Sequence, residues 1–134
     1  MSVFDPTFKS VLLVGLGGFL GSISRYVIGG WMLQASVAGR FPLGTFTVNV
    51  AGCLIAGVLA GLAERHALWG PDARLFLFTG LLGGFTTFSA FGLETVGLMR
   101  RGEPFMAVAY AGATVMLGIA AIWVGIRIAL LLAR

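Results

Sequence analysis

Asn49 and Thr45 stand four apart in "GTFTVNVAG", and Tyr110 and Thr114 stand four apart in "AYAGATVMLG". On a helix, residues four apart are neighbours on one face, so each pair forms a short polar row in an otherwise apolar segment. Asn49 brings two amide N–H donors, and each hydroxyl brings one O–H. The row on the later segment ends at Gly118, where a third polar residue would have stood. In "GGFTTFSAFG", Gly83 to Gly92, Phe85, Phe88 and Phe91 follow one another at intervals of three, which places them on one slowly drifting helix face. An aromatic edge is electropositive. Ring edges beside neutral donors therefore suit a small anion without a formal charge that would hold it too tightly, and conduction requires release as well as binding. Each group also has an ordinary use, the polar ones in interhelical hydrogen bonds and the rings in packing.

The same ten residues bear on the backbone. Gly83 and Gly84 weaken a helix, and Thr86, Thr87 and Ser89 carry hydroxyls that bond to nearby carbonyls, a composition that predicts a local break. Unwound backbone at membrane depth survives only where it is buried in protein or lines a polar cavity. Carbonyls released there are ligands for a hard cation such as Na⁺. An intact, glycine-kinked packing helix explains the composition equally well.

Charged side chains inside apolar segments are costly and default to functional roles. Arg25 either snorkels to the interface or draws anions to a vestibule, and Glu94 either shapes an entrance or pairs with an arginine. Arg127 marks an interface. Cys53 reads as small filler and His66 as a solvated loop residue without companions at metal-ligand spacing. No constellation of His, Cys and carboxylate offers nucleophilic or metal chemistry, so an enzyme is not expected.

These residues need elements to hold them. The chain has 134 residues, 58% hydrophobic and 10% charged, with a mean hydropathy of +0.99, where soluble domains are nearer half apolar and a quarter charged. No charged residue stands between Lys9 and Arg25, Arg40 and Glu64, Arg74 and Glu94, or Glu103 and Arg127. Each gap accommodates a crossing helix of roughly 20 residues, and the spans are placed at about 10–33, 43–63, 75–99 and 105–131. The expected fold is an all-α integral membrane protein, one four-helix domain over residues 1–134 with its third helix broken. The first span exceeds a secretory signal's apolar core, so cleavage is not expected. The net charge of +4 suits lipid headgroups and anion attraction rather than nucleic acid.

Four spans put Lys9, Arg65, Arg74, Arg127 and Arg134 on one side and Arg25, Arg40, Arg100 and Arg101 on the other. Orientation follows a Lys/Arg excess, and this near balance predicts insertion both ways, with oppositely inserted copies pairing as an antiparallel homodimer. Gly17 and Gly21, Gly18 and Ser22, and Gly57 and Gly61 are spaced by four, as suits close helix contact in lipid.

The stretches "FPLGTFTVNVAG", "GLLGGFTTFSAFGLETVGL", "GGFLGSISRY" and "AYAGATVMLG" resemble the bacterial fluoride channels of the Fluc or CrcB family over nearly the whole chain. The resemblance implies a multi-pass inner-membrane channel, an antiparallel homodimer with two pores, exporting cytoplasmic fluoride by passive electrodiffusion, rejecting chloride and so lowering fluoride toxicity. It makes Phe88 and Phe91 the pore phenylalanines, Asn49 a donor to the ion, and Tyr110 with Thr114 the track on span four. A structural, untransported Na⁺ would be held at the dimer centre by the backbone carbonyls of Gly83 and Thr86 from both subunits. Ala90 departs from the family's T-T-F-S-T-F by one hydroxyl, and Gly118 stands where members often place Ser or Thr; both bear on throughput. The alternative is an exporter like the small multidrug-resistance proteins, proton-coupled. It needs a carboxylate in its first span, and this first span has none.

Overall fold

The structure is a computed structural model describing residues 6–36, 39–66 and 69–132, the side chains of Arg65 and His66 excepted. The readings made for Arg65, His66 and Arg134 lie outside the described residues. Among the described residues, four helical stretches are long and apolar enough to cross a membrane. The first, α1, covers Phe8–Ala35 and begins where the Thr7 hydroxyl accepts the Ser10 N–H at 3.2 Å. The second, α2, covers Leu43–His66 and runs past the expected end at 63. Between them the link passes through Gly39 at φ +58°, a left-handed conformation that glycine adopts without steric cost.

The third stretch starts earlier than expected, with Pro71 at a first helical position, where its missing N–H has no partner to lose. Its first half, α3, covers residues 71–85: α-helical over Pro71–Arg74, π-helical over Leu75–Leu82, and α-helical again over Gly83–Phe85. Thr86 and Thr87 are then extended, with ψ of 157° and 118°. The chain resumes as α4, Phe88–Arg100. Gly102, at φ +76°, turns it into α5, Pro104–Leu132. The expected break is present, and an intact kinked helix is not. It falls after the glycines, not on them, because Gly83 and Gly84 remain helical.

In lipid, helices gain nothing by hiding apolar surface from one another, so close backbone approach carries the packing. The main pairings are α1 with α3 and α2 with α5. A methyl group on Gly84 would stand 2.5 Å from the Gly18 carbonyl oxygen, and one on Gly80 would stand 2.8 Å from that of Val14. Gly17 and Gly21 lie against the backbone of Phe76, Gly80 and Leu81, while Gly57 and Gly61 lie against Ile122, Ile126 and Ala129. The small residues spaced by four thus mark real contacts. Ser22 instead turns its hydroxyl back to the Phe19 carbonyl at 3.1 Å. On α5 the buried positions Ala107, Tyr110, Thr114, Gly118, Gly125 and Ala129 form one face.

Lys9 is ion-paired with Asp72, which sets the start of α1 beside the start of α3. Arg101 and Glu103 pair at 3.6 Å in the link between α4 and α5. Large apolar side chains otherwise point outward along all four stretches, as in Phe19, Trp31, Leu93 and Met116.

Candidate functional site

The break is held by side chains, and the arrangement follows from the orphan groups that any interrupted helix leaves. In a continuous helix the Thr87 N–H would bond to the Gly83 carbonyl, four residues earlier. Here it bonds to Asn49 Oδ1 at 2.8 Å, while Asn49 Nδ2 donates to the Thr87 carbonyl at 3.0 Å. The Asn49 amide thereby replaces the missing helical partners with a two-point contact. The Thr87 hydroxyl accepts the Ala90 N–H at 3.2 Å and caps α4. That N–H would otherwise serve the Thr86 carbonyl. The carbonyls of Gly83 and Thr86, like those of Gly84 and Phe85 between them, thus lack the helical N–H partners that a continuous helix would give them. The Thr86 hydroxyl is committed to the Leu82 carbonyl at 3.0 Å.

Thr87 holds the break together, and spacing does not single it out for this role. Its signal was a threonine three residues ahead of an N–H in a run too rich in hydroxyls to stay helical. The Gly84 carbonyl, at the end of α3, accepts from Arg25 Nε at 3.0 Å. Arg25 therefore bonds inward to the break.

Arg25, Thr45, Thr87, Ala90 and Glu94 line one cavity of about 190 Å³. Both vestibule candidates, Arg25 and Glu94, meet there. Ala90 forms part of the same wall, which is where its absent hydroxyl would have been felt. Among the described residues Glu94 pairs with no arginine. Its two oxygens accept from the Thr45 hydroxyl and the Tyr110 hydroxyl, each at 2.7 Å. The separate polar rows on α2 and α5 thus join through a carboxylate on α4. Thr114 directs its own hydroxyl to the Tyr110 carbonyl at 2.7 Å.

A second groove, of about 320 Å³, is lined by Asn49, Thr86, Phe88, Phe91, Thr114 and Gly118, among others. Cys53 joins this wall, and a methyl group on Gly118 would stand 3.3 Å from its sulfur. Thr87 lines both spaces, so they adjoin at the break. Phe88 and Phe91 have ring centroids 5.6 Å apart, and Phe91 lies 5.3 Å from Tyr110. Phe85 does not extend this stripe. The extended residues between Phe85 and Phe88 reset the helical phase, so Phe85 is buried at 7% exposure among packed helices while Phe88 projects outward at 84%. Arg127, near the end of α5, lies over the exposed Trp123 ring at 5.8 Å, an amphipathic pair suited to an interface.

The CrcB family model, described as "CrcB-like protein, Camphor Resistance (CrcB)", matches residues 12–126. The chain belongs to the CrcB family. Among its CrcB relatives, a protein of Methylobacillus flagellatus named "Fluoride-specific ion channel FluC" is 51% identical over 118 residues, covering 88% of this chain and 92% of the relative. Proteins with the same name from Nitratidesulfovibrio vulgaris and Rhizobium meliloti are 45% and 44% identical, each over 88% of this chain and 94% of the relative. The CrcB match spans both grooves and the break between them.

Proposed function

We propose that this chain is a fluoride-selective ion channel that carries fluoride out of the bacterial cytoplasm across the inner membrane by passive electrodiffusion. The reading makes it a means of lowering intracellular fluoride, acting by conduction rather than catalysis. The observation that carries it is the convergence of Phe88, Phe91, Asn49 and Thr114 on one groove in a chain whose relatives bear the name fluoride channel.

A small anion entering this groove must exchange its water for protein donors. Phenyl edges of Phe88 and Phe91 and the Asn49 N–H not bonded to Thr87 supply weak, neutral contacts. Tyr110 and Thr45 carry the further protons, and both are directed at Glu94. Fluoride and a carboxylate compete for the same donors, so passage beyond Phe91 requires Glu94 to yield its hydroxyl partners. Arg25 and Glu94 then border a vestibule on the far side of the break.

The active assembly in this reading is an antiparallel homodimer of dual topology. The nearly balanced arginines support insertion both ways, and the outward projection of Phe88 supports a second copy against that face. The reading includes a structural Na⁺ held by the main-chain oxygens of Gly83 and Thr86; what supports it is that the break takes their helical donors away, the Thr87 N–H going to Asn49 and the Ala90 N–H to the Thr87 hydroxyl. Bound there, a sodium ion would supply positive charge that holds the released carbonyls in place.

Liposomes containing only this protein test the reading. Fluoride should leave them when voltage is dissipated, with no pH gradient, and chloride should stay. Strict dependence on a proton gradient would favour the exporter, and retention of both ions would end the channel reading.

A further inference from the structure

We propose that Phe41 is a positioning residue for conduction, acting through Tyr110. The proposal rests on the fluoride-channel reading and adds a residue outside both grooves. Phe41 lies in the link before α2, where its carbonyl accepts the Leu43 N–H at 2.7 Å. That backbone bond leaves the ring to serve another purpose. Its centroid is 5.4 Å from that of Tyr110, with the rings at 89°, and 5.2 Å from that of Phe46, with the rings at 77°. Both are the edge-to-face geometry that the ring quadrupole favours.

Tyr110 is the most enclosed large side chain of the site, at 0% exposure. Phe41 forms one of its walls and Phe91 another. Its hydroxyl reaches Glu94 at 2.7 Å, and a bond that short depends on where the ring is held. Phe41 therefore sets two things at once: the direction of the Tyr110 proton and the surface on which Phe91 rests. The control runs from a link at one end of the helices into the polar track, although Phe41 lines neither groove.

The chain has two tyrosines, Tyr110 and the exposed Tyr26, so 3-fluorotyrosine labelling gives a two-line ¹⁹F NMR spectrum. In Phe41→Leu, the Tyr110 line should move or broaden while the Tyr26 line stays. Fluoride efflux from liposomes should fall about 3- to 10-fold, the factor carried by one aromatic contact. Phe41→Tyr, which keeps a ring, should restore both readouts. In a Tyr110→Phe background, Phe41→Leu should change efflux by less than about twofold, because residues acting through one group are not additive. An equal fold loss in both backgrounds, or an unmoved Tyr110 line, overturns the proposal and returns Phe41 to packing. If the wild-type protein passes no fluoride, the channel reading fails by itself, and the ¹⁹F spectrum still decides whether Phe41 positions Tyr110.

Discussion

Asn49 on α2 bonds both main-chain polar groups of Thr87, Oδ1 accepting from its N–H and Nδ2 donating to its carbonyl, across 38 positions of sequence. The amide stands in for helical hydrogen bonds that the break removes, and this ties a candidate ion donor to the integrity of the backbone. Replacing Asn49 by Ala leaves a donor and an acceptor without partners at membrane depth. A stability loss of about 1–3 kcal/mol is expected, together with loss of fluoride efflux. Thermal unfolding in detergent measures the first. Unchanged unfolding would assign the Asn49 contacts no structural weight.

Phe85 and Phe88 are separated by the break and should respond oppositely to substitution. Phe85→Ala opens a cavity between packed helices and should cost about 3 kcal/mol, the lower end for a buried phenylalanine, since apolar transfer contributes little in lipid. Phe88→Ile, which keeps a large apolar side chain on the face given to a second copy, should cost far less in unfolding than Phe85→Ala while reducing efflux at least about tenfold, equivalent to ~1.4 kcal/mol in the barrier. Wild-type efflux from Phe88→Ile and from Phe91→Ile would return these rings to packing.

Two glycines on α1 should also separate. A methyl group on Gly21 would stand 2.8 Å from the Phe85 backbone nitrogen, whereas one on Gly15 would meet nothing within 4 Å. Gly21→Ala should therefore destabilise by at least about 1–3 kcal/mol. Gly15→Ala should stabilise by about 0.5–1 kcal/mol through the helix preference for alanine. Equal effects on unfolding temperature would contradict the close approach of α1 and α3.

Thr86→Ala removes a hydroxyl that already serves the Leu82 carbonyl and leaves the Thr86 carbonyl in place. The proposed main-chain Na⁺ site requires efflux to depend on sodium in the wild type, and that dependence should persist in this variant, with a stability change of about 1 kcal/mol. Its abolition would show that the side chain, not the main chain, carries the site.

Much of this architecture is legible in the chain. The charge-free gaps announce the four spans, and glycines spaced by four announce the contacts of Gly17, Gly21, Gly57 and Gly61. The density of glycine and hydroxyls announces a break, but its position depends on Asn49, a partner that local composition does not reveal. Counting threes through Phe85, Phe88 and Phe91 assumed a continuous helix, and the extended Thr86 and Thr87 void that assumption. Glu94 showed only as a costly charge. Its partners, Thr45 and Tyr110, come from two other helices, and only the packing of α2, α4 and α5 joins them.

Reversal potential in a planar bilayer tests the central claim most directly. With this protein alone in the membrane, a fluoride gradient, and chloride equal on both sides, the current should reverse near the fluoride equilibrium potential. The potential should follow the fluoride gradient as it is changed. A reversal potential that stays at zero, or that follows an imposed chloride gradient, would contradict selective conduction of fluoride.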